Sequence, residues 1–132
     1  MRIPERVVVD TSALYALLNK NDQFHGQAEP LLESLLNFES DLWITSYALV
    51  ETMALVERRL GKTMVKRMLE AMKSALKVFF ITPSFHTEIQ ARHLGKDTAL
   101  SFVDWSCVLL GEYLHAPVFT FDSRIPDRWP TV

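Results

Sequence analysis

Apolar and polar positions fall in short blocks along the chain, and the blocks switch between two periodicities. Val7-Val8-Val9 is a run of β-branched residues, which predicts a strand buried on both faces. The run ends at Asp10, and a helical pattern (Ala13, Leu14, Leu17, Leu18) begins at once, from about Thr11 to Leu18. Asn19-Lys20-Asn21-Asp22 then breaks the helix with turn-forming residues. A second helix carries Leu31, Leu32, Leu35 and Leu36 on one stripe, and Pro30 within it predicts a kink, a break or a start near residue 29. Leu42-Trp43-Ile44 reads as a second strand. Thr45 or Ser46 caps the helix after it, which runs to Leu60 and stops at Gly61.

Residues 62–77 give another amphipathic helix, with Val65, Met68, Leu69, Met72 and Leu76 on one side. Val78-Phe79-Phe80-Ile81 reads as a third strand. Thr82-Pro83 supplies an N-cap and a first-turn proline for a helix to about Leu94, and Gly95-Lys96-Asp97 is a loop. Ser101 to Leu114 is a strongly apolar helix, Val118–Phe121 a fourth strand, and the tail from Asp122 a loop with room for a short edge strand. Strands alternating with helices predict an α/β fold: a three-layer α/β/α sandwich on a central, mostly parallel sheet, as a single domain over residues 1–132. The Met64, Met68 and Met72 face and the leucine stripe read as ordinary core.

Charge changes this picture little. With 14 Lys and Arg against 16 Asp and Glu, the net charge of −2 speaks against a large nucleic-acid surface. Acids gathered around a cation would leave the remaining surface effectively basic, so the count decides neither way. One cysteine, Cys107, excludes an intramolecular disulfide and a thiolate zinc cluster and fits a reducing cytosol. No segment has the apolar length of a signal peptide core or a membrane span. The expectation is a soluble cytoplasmic protein.

Four acids stand out by their surroundings. Taken singly, Asp10 is a helix cap, Asp104 completes an S-x-x-D capping box from Ser101, and Asp122 is a turn residue. Glu51 has Tyr47, Ala48, Ala54 and Leu55 three and four residues away, so the pattern places it off the solvated face. Topology adds the decisive point. Asp10 and Asp122 end parallel strands, and Glu51 and Asp104 lie in the early turns of helices that start at the same carboxyl edge. Carboxylates crowded into a low-dielectric crevice need compensation, and a hard divalent ion such as Mg²⁺ or Mn²⁺ supplies it through oxygen ligands. His25, His86, His93 and His115 show no mutual ligand spacing, which disfavours zinc.

With these residues in view, the chain resembles the PIN-domain ribonuclease family, and within it the VapC-type toxins of toxin–antitoxin pairs. The resemblance rests on Val9-Asp10-Thr11-Ser12-Ala13-Leu14, on Asp22 with His25, and on Thr45-Ser46 followed by Glu51. It continues through Arg58-Arg59-Leu60-Gly61, Leu100-Ser101-Phe102-Val103-Asp104 and Phe119-Thr120-Phe121-Asp122. It implies a metal site of Asp10, Glu51, Asp104 and Asp122, with Thr11, Ser12 and Ser101 as supporting hydroxyls. The implied activity is Mg²⁺- or Mn²⁺-dependent endonucleolytic hydrolysis of RNA, and the implied partners are an antitoxin and a second copy of the chain. Two positions depart from the family pattern: Ser123-Arg124-Ile125-Pro126 replaces an acidic-then-aromatic sequence after the fourth acid, and Trp105 replaces a small residue.

Arg58, Arg59, Lys62, Lys66 and Arg67 form a basic cluster that reads equally as a contact for the RNA backbone or as a solvated helix terminus. Two other functions compete with the nuclease. One is a catalytically silent PIN-like module that binds RNA or protein. The other is a phosphatase of the haloacid dehalogenase type, which needs a second Asp where this chain has Ser12.

Overall fold

The computed structural model describes residues 1–131; Val132 of the expected domain lies outside the described residues. The first strand, β1 (Arg6–Val9), has Val7, Val8 and Val9 all buried, so side chains pointing to opposite faces are both covered. Around it the chain forms α1 (Thr11–Leu18), α2 (His25–Asn37), β2 (Asp41–Thr45), α3 (Ser46–Leu60) and α4 (Lys62–Met72). It continues through β3 (Leu76–Phe79), α5 (Pro83–Gly95), α6 (Phe102–Leu114), β4 (Val118–Phe119) and β5 (Arg128–Trp129). The five strands form one sheet in the order β3-β2-β1-β4-β5, and every pairing is parallel. The expected three-layer architecture is present, with the short edge strand realised as β5.

The strand order positions the site. From β1 the chain steps outward to β2 and β3, then returns past β1 to place β4 on its other side. The direction reverses between β1 and β4, and ligand crevices of open α/β sheets form at the carboxyl ends of such a pair. Val8 lies in register with Val118 and Val9 with Phe119, and the Asp10 amide donates to the Phe119 carbonyl at 3.1 Å.

Three boundaries differ from the sequence reading. α2 starts at His25, not near residue 29, and Pro30 lies inside it, where its missing N–H leaves only the Gly26 carbonyl without its helical donor. α4 ends at Met72 rather than at residue 77, and β3 begins at Leu76, because Leu42, Trp43, Ile44 and Thr45 pair with Leu76, Lys77, Val78 and Phe79. Phe80, expected in that strand, is 72% exposed. β4 ends at Phe119, so Thr120 and Phe121 leave the strand as a bend towards Asp122.

α6 ends in a close reversal that delivers the chain to β4. The Ala116 amide bonds the Gly111 carbonyl at 2.8 Å, the His115 amide bonds Glu112 at 3.3 Å, and His115 takes the left-handed conformation at φ 53°. A Cβ on Gly111 would lie 2.7 Å from the Ala116 carbonyl oxygen. Alanine there gains about 1 kcal/mol of helix propensity but must push apart a backbone turn, an overpacking that costs about 1–3 kcal/mol. Gly111→Ala is therefore expected to lower the urea midpoint. A raised midpoint would show that the turn relaxes freely.

Candidate metal centre

Asp10 caps α1 and is 4% exposed. Its Oδ1 accepts from Ser12 Oγ at 2.8 Å and from the Ala13 amide at 3.1 Å. Ser12 has spent its proton on Asp10, so its oxygen accepts from the Phe121 amide at 3.1 Å, and it lies 3.2 Å from the Thr120 hydroxyl. Thr120 Oγ1 in turn accepts from the Asp122 amide at 2.9 Å. One hydroxyl thus ties the end of β1 to the bend after β4. Burial pushes the Asp10 carboxyl up to about 6; the Thr120 and Ser12 hydroxyls and the Ala13 amide pull it down, and the charge of Asp104 pushes it further up.

Asp104 reaches this edge from the first turn of α6. The Ser101 hydroxyl accepts from the Asp104 amide at 3.0 Å, and Asp104 Oδ2 accepts from the Ser101 amide at 2.9 Å, a complete capping box. Capping consumes Oδ2 and leaves Asp104 Oδ1 without a hydrogen-bond partner among the described residues. Thr45, the cap of α3, bonds Ser106 across 3.0 Å and so fixes the start of α3 against α6. Cys107 lies behind the two acids. Burial, then the charge of Asp10, push its thiol well up, which keeps it protonated and out of nucleophilic chemistry.

The other two acids are placed differently. Glu51 is exposed, contrary to the sequence reading, because the buried stripe of α3 runs through Ala48, Thr52 and Val56, one position round the helix. Ala54, one of the neighbours that suggested an apolar setting, is itself exposed. Asp122 is half-buried in a turn and is paired with Arg124 at 2.6 Å, which holds its carboxyl below the ordinary range. Of these acids Asp104 is the one whose charge acts on Asp10, and it is the weakest of the influences on that carboxyl. Among the described residues no group of three or more Asp, Glu, His or Cys lies in metal-binding geometry.

A hard divalent ion suits the donor types of Asp10 and Asp104. Both offer carboxylate oxygens, Asp10 from a buried position and Asp104 from a half-buried one, and the Thr11 hydroxyl next to Asp10 in the chain is buried without a partner. Mg²⁺ in particular binds through one or two carboxylates and keeps several waters. The supporting hydroxyls divide accordingly: Ser12 Oγ donates to the Asp10 carboxylate, Ser101 Oγ accepts only from the Asp104 backbone amide, and Thr11 is unengaged.

Sequence reasoning missed Thr120 and the Phe24–Phe121 pair. Phe24 stacks flat on Phe121 with ring centroids 4.7 Å apart, which latches the loop before α2 onto the bend after β4. Asp22 holds that loop by accepting from the Phe24 amide at 2.9 Å, while His25 Nδ1 lies 2.7 Å from the Ala16 carbonyl. The basic residues Arg58, Arg59, Lys62, Lys66 and Arg67 are all exposed, and the Arg59 guanidinium lies 5.6 Å from the Tyr15 ring centroid.

The parallel α/β sheet, with a buried acid at its switch point, fits one class, and the model of the PIN domain family matches residues 7–128. The chain belongs to the PIN domain family. Among solved structures, VapC20 of Mycobacterium tuberculosis, a sarcin-ricin loop cleaving toxin, superposes with a TM-score of 0.78 at 22% identity, over 90% of this chain and 92% of that one. VapBC2 from Rickettsia felis, solved on a DNA fragment from its promoter, gives 0.70 at 18% identity over 93% and 95% of the two chains. FitAcB from Neisseria gonorrhoeae gives 0.62 at 15% identity over 89% and 88%. No curated protein sequence matches the chain. The haloacid dehalogenase reading has no support in these relationships.

Proposed function

We propose that this chain is a divalent-metal-dependent endoribonuclease and the toxin of a toxin–antitoxin pair. The observation that carries the reading is the buried Asp10 carboxylate, held by Ser12 and the Ala13 amide at the β1–β4 switch point of a PIN-family sheet, with the capping-box Asp104 on the helix that leads into β4. Asp10 and Asp104 are the core ligands of Mg²⁺ or Mn²⁺, with Glu51 and Asp122 as outer acids. The residues named would hold an ion whose chemistry would be to lower the pKa of a bound water and to stabilise charge on the scissile phosphate and the leaving oxygen.

The protein's own residues prepare that chemistry. Ser12 and Ala13 aim Asp10, Ser101 aims Asp104, and Thr120 locks the two strand ends together. The exposed cations Arg58, Arg59, Lys62, Lys66 and Arg67 take the RNA backbone, a sequence-independent contact that weakens with salt. An antitoxin is the proposed protein partner, by likeness to the VapBC2 and FitAcB structures. An apolar groove of about 340 Å³ between α1, α2 and α4, lined by Leu17, Leu32, Leu36 and Met68, suits an apolar segment of it. The chain is proposed to pair as a homodimer, which a monomer by light scattering at micromolar concentration would contradict. No helix among the described residues is long and apolar enough to cross a membrane, and a cytoplasmic location is part of this proposal.

Total RNA incubated with the purified protein and Mg²⁺ is expected to acquire new discrete ends, and Asp104→Asn to produce none. RNA left intact by the parent protein would instead support the catalytically silent PIN module that binds RNA or protein.

A further inference from the structure

Asp122 differs from the other acids in what it already holds. Its Oδ1 accepts from the Arg124 amide at 3.0 Å and from Arg124 Nε at 2.9 Å, and its Oδ2 accepts from Nη2 at 2.6 Å. The guanidinium therefore grips both carboxylate oxygens. Its remaining arm, Nη1, donates to the Ala99 carbonyl at 3.1 Å, in the loop that leads into the Ser101–Asp104 capping box. Arg124 is thus tied to two parts of the site at once. The Asp122 carboxylate chiefly, and the Asp104 carboxylate more weakly, favour its charged form.

A carboxylate held on both oxygens by a guanidinium is a poor ligand for a dication. The ion would have to displace the side chain or sit against a like charge at short range. Asp10 and Asp104 carry no such cation among the described residues. We infer that Arg124 takes the place of a second metal ion: it neutralises Asp122, so that the centre binds a single divalent ion through Asp10 and Asp104. The inference rests on the metal reading above and deepens it by fixing the number of ions. Arg124 is a positioning residue in this scheme. It has five N–H groups, of which described residues use three, so two remain for a phosphate oxygen of the substrate.

Titration with Mn²⁺ alone, followed by the electron paramagnetic resonance signal of the free ion, tests this without reference to activity. The parent protein is expected to bind one ion per chain, and Asp122→Asn to bind it within about threefold of the parent affinity, because no ligand is lost. Arg124→Gln releases Asp122 and is expected either to add a second ion or to tighten binding by about tenfold. Two ions on the parent, or a loss of about tenfold or more in Asp122→Asn, would make Asp122 a ligand and overturn the inference. Asp10→Asn in the same titration separates the two readings. If it abolishes binding, failure of the Asp122 and Arg124 outcomes overturns this inference alone; Mn²⁺ binding indifferent to Asp10→Asn overturns both.

Discussion

Asp10→Asn is expected to lower the proposed RNA cleavage about 100-fold or more and, in EDTA at about pH 7.5, to be more stable than the parent. The two effects share one cause. In the fold the Asp10 carboxyl titrates at about 6 rather than 3.8, chiefly because it is buried. A group whose folded pKa is raised above its unfolded value favours the fold at low pH and loses that contribution as pH rises through the folded pKa. The two values differ enough that ionised Asp10 costs the metal-free protein about 3 kcal/mol.

Asparagine keeps an oxygen for Ser12 and the Ala13 amide but carries no charge. The variant is therefore expected to melt higher than the parent at about pH 7.5, and the gap to close at about pH 3.5, where both side chains are neutral. Mg²⁺ raises the melting temperature of the parent and not of the variant. RNA cleavage is expected to fall about 100-fold or more, because the substitution removes a charge from the proposed metal ligand. Equal melting temperatures at both pH values would contradict the buried, ionisable Asp10 described above.

The second large effect lies beneath the site. Phe119 is fully buried, pairs in register with Val9 and Trp129, and meets the Trp129 ring edge-on at a centroid distance of 5.2 Å. Its carbonyl also accepts the Asp10 amide. Phe119→Ala opens a cavity under the β1–β4 switch point and is expected to cost about 3–5 kcal/mol. Domains of this size are stable by about 5–15 kcal/mol, so the loss is a large share of the total. A thermal melt should fall by on the order of 10 °C or more. A drop of a degree or two would mean that the groove beside Phe119 collapses to fill the space.

Much of this site was legible from local pattern. The Val7–Val9 run ending on Asp10 and the Ser101–Asp104 spacing each carry their structure within a few residues, as strand-to-helix handover and as capping box. Glu51 was misread for a physical reason. Alanines fit a helix face whether it is wet or dry, so Ala48 and Ala54 at matching distances did not say which way α3 turns. Packing settled it in favour of Thr52, whose hydroxyl bonds the Ala48 carbonyl at 2.7 Å inside the core.

Thr120 was invisible for another reason. Within its own segment it reads as one more β-branched residue of a strand, and its role depends on Ser12, 108 residues away. The start of β3 was likewise set by distant partners. Lys77 reaches Asp41 at 3.0 Å and lies 5.5 Å from the Trp43 ring centroid, which pins β3 to β2 from Leu76 onward and leaves Phe80 outside. Long-range hydrogen bonds and strand register leave no trace in a local window.

The central claim is that Asp10 and Asp104 form a divalent-metal centre that cleaves RNA. It is tested most directly by stripping the purified protein of metal, incubating it with total RNA, and mapping new ends before and after Mg²⁺ is restored. The account predicts discrete new ends only when Mg²⁺ is present. Cleavage at the same positions and rate in excess EDTA would contradict it.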